Sequence, residues 1–123
     1  MILVDTSVWV DHLHAHDQQL ELFIEAGEVA THPMVIGELA TGNLTNRQAF
    51  LTQMAELPQV RTADHLEVLE MIDNRHLYGI GLSYVDIHLL AASFITPGCR
   101  LLTRDRRLKA QAENLAVAWP PTA

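Results

Sequence analysis

Short apolar runs alternate along this chain with longer stretches in which apolar residues recur every three or four positions. Met1-Ile2-Leu3-Val4 is an unbroken apolar run that stops at Asp5, and it reads as a short buried strand over residues 1–5. Helical spacing follows at about 7–14 and again at 17–26, with Gly27 as the stop. Residues 28–30 read as a second strand. Pro33 suits a first helical position, so a helix is predicted from there to about Thr41, with Gly42 beyond its end. Residues 46–57 are predicted helical, with Ala49, Phe50, Met54 and Leu57 on one face. Residues 58–61 read as a third strand. A longer helix is predicted over 63–77, carrying Leu66, Leu69, Ile72 and Leu77. Gly79-Ile80-Gly81 breaks the chain before a helix at 83–95, whose run Leu89–Ile95 reads as a buried face. Pro97-Gly98 then turns the chain into a strand at 100–103, a helix at 105–114 and a last short strand at 116–118. This alternation predicts an α/β fold: one domain over 1–123, with a central parallel sheet of about five short strands and helices on both faces.

The charges are unevenly spread. The net charge of −7 argues against a general nucleic-acid coat. Yet residues 100–109 hold Arg100, Arg104, Arg106, Arg107 and Lys109 against the single acid Asp105, so that block sums to +4 and the remainder to −11. A basic stripe beside acidic residues suits a phosphate chain, with Arg104, Arg106 and Arg107 as candidate RNA contacts. A solvated cationic helix face is the plainer reading. The one cysteine, Cys99, excludes an intramolecular disulfide and fits a reducing, cytoplasmic setting. Asp5 and Asp11 interrupt the region where a signal peptide would need its basic and apolar segments, and no run is long enough to span a membrane.

Four acidic residues stand where apolar runs end or turn: Asp5, Glu38, Asp86 and Asp105. In a parallel α/β sheet the strand ends and the helix starts that follow them share one rim, where ligands bind. Carboxylates gathered there repel one another, and hard oxygen ligands favour Mg²⁺ or Mn²⁺. Each acid also has a local explanation. Asp5 can cap the next helix, Asp86 completes a Ser83-x-x-Asp86 capping box, Asp105 can favour a helix N-terminus, and Glu38 can be a solvent-facing helix residue. Thr6, Ser7 and Thr103 lie within two residues of Asp5 or Asp105 and can orient a carboxylate or a metal-bound water.

In order along the chain, four segments resemble the PIN domain, and more specifically the VapC ribonuclease toxins of prokaryotic toxin–antitoxin pairs. They are Asp5-Thr6-Ser7-Val8-Trp9, Gly37-Glu38-Leu39, Gly81-Leu82-Ser83-Tyr84-Val85-Asp86-Ile87-His88 and Leu102-Thr103-Arg104-Asp105-Arg106-Arg107-Leu108. The resemblance implies a parallel sheet with an acidic metal pocket at one rim. It makes Asp5, Glu38, Asp86 and Asp105 the catalytic acids. Asp5, Asp86 and Asp105 become metal ligands, Glu38 holds a second ion or orients the attacking water, and Thr6, Ser7 and Thr103 support them. It also implies an RNA substrate, a small antitoxin partner and a homodimer, for which the apolar helices near 34–57 offer a surface. A basic antitoxin segment would complement the acids.

The expected chemistry is hydrolysis of an RNA phosphodiester by a metal-activated water, because no nucleophile–base pair is evident. Two other classes stay open: a phospho-acceptor or phosphatase-like domain using Asp5 as nucleophile, and a non-catalytic module whose acidic pocket binds a basic partner. His12 and His16 share a helix face, which reads as an exposed polar helix end rather than a built metal site. His88 reads as a structural, hydrogen-bonded histidine. Gly79-Ile80-Gly81 follows a helix rather than a strand and is no dinucleotide fingerprint. Trp9 and Trp119 read as core residues before base-stacking ones.

Overall fold

The structure is a computed structural model that describes residues 1–121, so the last two residues of the expected domain lie outside it. Strand β1 (Ile2–Val4) occupies the centre of a three-stranded sheet of order β2-β1-β3, with β2 at Val29–Ala30 and β3 at Arg100–Leu102. Both pairings are parallel: Ile2 and Leu3 face Val29 and Ala30, and Ile2, Leu3 and Val4 face Arg100, Leu101 and Leu102. Successive strand residues point to opposite faces, and Ile2, Leu3 and Val4 are all buried. Both faces of the sheet are therefore covered, which is why β1 reads as a continuous apolar run.

Seven helices are present among the described residues: α1 (Thr6–His14), α2 (Gln18–Glu25), α3 (Pro33–Ala40), α4 (Arg47–Glu56), α5 (His65–Arg75), α6 (Tyr84–Ile95) and α7 (Arg106–Asn114). Their starts follow local chemistry. Pro33 opens α3, while Asp64 with Glu67 and Ser83 with Asp86 form complete capping boxes on α5 and α6. Asp64→Ala removes the acceptor for the Glu67 N–H, and we expect a loss of about 1 kcal/mol in urea unfolding.

Two expectations need correction. The sheet holds three strands rather than about five, because residues 58–61 and 116–118 each contribute one isolated parallel bridge, Thr31 with Gln59 and Leu101 with Ala118. Pro58 has no N–H to extend a ladder, β2 is only two residues long, and Ala116 sits at φ 59, a turn conformation. The run at Leu89–Ile95 is buried only as far as Ser93, and Phe94 and Ile95 are exposed. Helices α3 and α4 turn Val35, Leu39 and Met54 into the core. The large exposed apolar side chains lie on other elements, among them Val10 and Leu13 on α1, Leu22 on α2, and Leu66, Leu69, Phe94 and Ile95 on α5 and α6.

Candidate active site

Parallel strands end on one edge of the sheet. There β1 runs into Asp5, β2 into Thr31 and His32, and β3 into Thr103. A backbone hydrogen bond from the Asp5 N–H to the Leu102 carbonyl, 3.0 Å, holds the β1 and β3 ends together. One surface opening at this edge is lined by Asp5, Thr6, Ser7, Val10, Asp11, Glu38, Asp86, Arg104 and Asp105. The four acids singled out in the sequence thus come to one place from four elements.

Each acid is fixed by the element that delivers it. Asp5 caps α1: its Oδ1 accepts the Thr6 N–H at 2.7 Å, and its Oδ2 accepts the Thr103 hydroxyl at 2.7 Å. The Thr103 hydroxyl oxygen accepts the Asp105 N–H at 3.1 Å, so a single side chain spaces Asp5 from Asp105. Asp105 caps α7, accepting the N–H groups of Arg107 and Leu108. Asp86 accepts the Ser83 N–H at 2.9 Å. Glu38 projects from α3, and its Oε1 accepts the Thr6 hydroxyl at 2.6 Å. Ser7 lines the opening from the exposed side of α1.

The electrostatics are uncompensated. Burial pushes the Asp5 carboxyl above its usual range, the Thr103 and Thr6 hydrogen bonds pull it back, and the Asp86 and Glu38 charges push it up again. The one basic residue of the lining, Arg104, is already paired with carboxylates other than the four acids. Its guanidinium bonds Asp11 and reaches Asp17 at 3.2 Å, tying the β3–α7 junction to α1 and α2. A lining of carboxylates and hydroxyls without histidine or cysteine is a hard oxygen donor set, and it fits a divalent ion such as Mg²⁺ or Mn²⁺.

The other two arginines differ. Arg106 is exposed on α7. Arg107 lies across Gly81, where an added Cβ would come within 2.9 Å of the arginine Cδ. Gly81 also sits at φ +86, so Gly79-Ile80-Gly81 serves a tight turn that brings α7 against the entrance of α6.

Asp11 and Val10 were missed as lining residues. Ser7, Val10 and Asp11 stand at i, i+3 and i+4 on α1, a spacing that places them on one face. His88 is buried as expected of a structural residue, but neither of its ring nitrogens has a hydrogen-bond partner, which corrects the hydrogen-bonded reading. Trp9 is buried, and Trp119 packs edge-on against Phe23. His12, His16 and Glu21 offer ligand atoms within 4.8 Å of one another. However, His12 Nδ1 accepts the Asp17 N–H at 2.9 Å, which leaves the ring proton on Nε2, facing Glu21. A metal-binding histidine usually donates its second nitrogen instead, so this cluster is an ordinary polar contact.

Comparison with known proteins gives the chain relatives in sequence and in fold. A family model described as the PIN domain matches residues 2–114. Two relatives named Ribonuclease VapC32, from two strains of Mycobacterium tuberculosis, are 45% identical over 118 residues, covering 96% of this chain and 95% of each relative. The crystal structure of PAE2754 from Pyrobaculum aerophilum has a similar fold, with a TM-score of 0.55 at 19% identity over 89% of this chain and 83% of that one.

Proposed function

The chain belongs to the PIN-domain family, among the VapC ribonucleases, and from that premise we propose that it is a Mg²⁺- or Mn²⁺-dependent endoribonuclease, the cytoplasmic toxin of a toxin–antitoxin pair. The observation that carries the reading is the meeting of Asp5, Glu38, Asp86 and Asp105 around one opening whose one basic lining residue, Arg104, is already paired with Asp11 and Asp17. Asp5, Asp86 and Asp105 would hold the metal, and Glu38 would hold a second ion or orient the attacking water. A divalent ion bound there supplies water acidified towards neutral pH and counter-charge for the phosphoryl transition state.

The chain's own groups do the positioning. Thr103 and the Thr6 N–H use one lone pair of each Asp5 oxygen and leave the others free for the opening. Thr6 steers Glu38 in the same way. The Ser83 capping box fixes Asp86 at the first turn of α6. In this reading the carboxylates place the reacting groups, water is the nucleophile, and no covalent enzyme intermediate is formed.

RNA binding is proposed to use Arg106 and Arg107, with Arg104 a weaker participant because Asp11 and Asp17 already neutralise it. Arg107→Gln should lower the slope of log affinity against log salt by about one, and Arg104→Gln should change it less. Equal slopes for both variants and the wild type would leave the stripe a solvated face. An antitoxin carrying arginine or lysine is proposed to enter the same opening and compete with the metal, since bidentate pairing suits carboxylates. A homodimer is proposed on family grounds. The ribonuclease reading is tested by incubating total RNA with the protein and Mg²⁺ or Mn²⁺, with and without chelator. Cleavage that persists in chelator, or none under any condition, contradicts it.

A further inference from the structure

A second cleft, of about 230 Å³, adjoins the acidic opening, and Arg104 lines both. Its guanidinium joins them: one arm bonds Asp11, which lines the acidic opening, and the other reaches Asp17, which lines the cleft, at 3.2 Å. Leu102 of the cleft accepts the Asp5 N–H on its carbonyl at 3.0 Å, and Thr103, between Leu102 and Arg104, bonds the Asp5 carboxylate. The cleft and the acids are therefore neighbours, fixed to one another at the end of β3. The cleft has aromatic and polar sides. Phe23 of α2 and Trp119 pack edge-on, with ring centroids 5.6 Å apart and planes at 87°, and both line it. Trp119 is half-buried, and its backbone N–H is held by the Leu101 carbonyl at 2.9 Å. Gln19, exposed on the first turn of α2, supplies an amide donor and acceptor.

We propose that this cleft seats one unpaired nucleobase of the RNA substrate, next to the phosphate held at the acids, with Trp119 as its aromatic wall and Gln19 pairing with its edge. The inference rests on the ribonuclease reading and adds a base subsite to it. The one cation of the cleft is already neutralised by Asp11 and Asp17, so the cleft offers little to a phosphate. A base has apolar faces and polar edges, which match an aromatic wall with an amide beside it. The volume lies below the roughly 300–1,000 Å³ of sites for drug-sized molecules and suits a fragment such as one base. A base stacked on an aromatic side chain contributes roughly 5–150-fold in affinity. Because Trp119 is held by Phe23 and by its own backbone bond, it loses little freedom when a base settles on it.

The competing role is a wall that only closes the core, with Trp119 packed on Phe23 and nothing bound. Steady-state cleavage of a short single-stranded RNA spanning a wild-type cut site separates the two. Trp119→Leu should raise KM at least about fivefold at similar kcat, and Gln19→Ala should raise it about 2–10-fold. In copies of this RNA with one abasic nucleotide at each position around the cut, one position should raise the wild-type KM. On that substrate both variants should lose nothing further. Calorimetric Mn²⁺ affinity should match the wild type in both. Wild-type KM in either variant overturns the inference and leaves the cleft to structure or to a protein segment. A loss that stays the same on every abasic substrate overturns it too. If Trp119→Leu does not fold, Gln19→Ala and the wild-type series decide, and the inference falls when no abasic position raises KM. Absence of any metal-dependent RNA cleavage by the wild type overturns the ribonuclease reading and this inference with it, whereas cleavage with unchanged KM in the variants overturns this inference alone.

Discussion

Asp5→Asn is expected to lower metal-dependent RNA cleavage by at least about 10²–10³-fold, the scale of removing a group aimed at transition-state charge, while the fold survives. Asparagine keeps one oxygen for the Thr6 N–H. Its amide nitrogen would face the Thr103 hydroxyl, which already accepts the Asp105 N–H and must turn its own proton elsewhere. That costs part of a hydrogen bond, about 1 kcal/mol. Removal of a charge repelled by Asp86 and Glu38 works in the opposite direction. Thermal unfolding without metal should therefore change little, and calorimetry should show weaker Mn²⁺ binding. Wild-type cleavage by this variant would remove Asp5 from the site.

Acid should weaken the fold through His32. This side chain is 2% exposed, and burial, followed by the nearby His88, lowers its pKa from 6.5 to about 4. The unfolded chain then binds a proton that the folded chain refuses. Stability is complete above pH 6.5 and is lost as pH falls towards 4, by about 3 kcal/mol from this residue. Burial lowers His88 as well, which acts in the same direction. Asp5 acts oppositely, because its raised carboxyl pKa makes the folded state hold its proton more readily on the acid side. His32→Asn keeps a side-chain acceptor for the Met34 N–H and removes the titration. Urea midpoints at pH 7 and pH 4 should differ markedly less in His32→Asn than in the wild type. Equal pH dependence in the two proteins would refute the assignment.

The helices were legible because their starts are local. Pro33, Asp64 with Glu67, and Ser83 with Asp86 are short-range signals that the backbone obeys. For the acids, the plain reading and the functional one describe the same atoms. Asp5 and Asp105 are helix caps, Asp86 completes a capping box, and all three line the opening. A cap uses some of a carboxylate's lone pairs and leaves others free. What could not be read is long-range. Nothing near Arg104 announces Asp11 and Asp17, which lie 93 and 87 residues away and claim its charge. The strand signal at residues 58–61 also failed for a nonlocal reason, because a strand needs a partner of matching length and the neighbouring β2 offers two residues.

The bond between Asp5 and Thr103 closes a loop of 98 residues, and β1 at the start of the chain finds its β3 partner only at residues 100–102. On a ribosome adding about 5–20 residues per second, Asp5 waits about 5–20 s before Thr103 and Asp105 exist to join it. A translation product halted anywhere before β3 carries Asp5, Glu38 and even Asp86 but has no β3 edge to gather them against β1. The order of the strands thus acts as a timer: the four acids of the proposed site cannot gather at one opening until synthesis has passed residue 105.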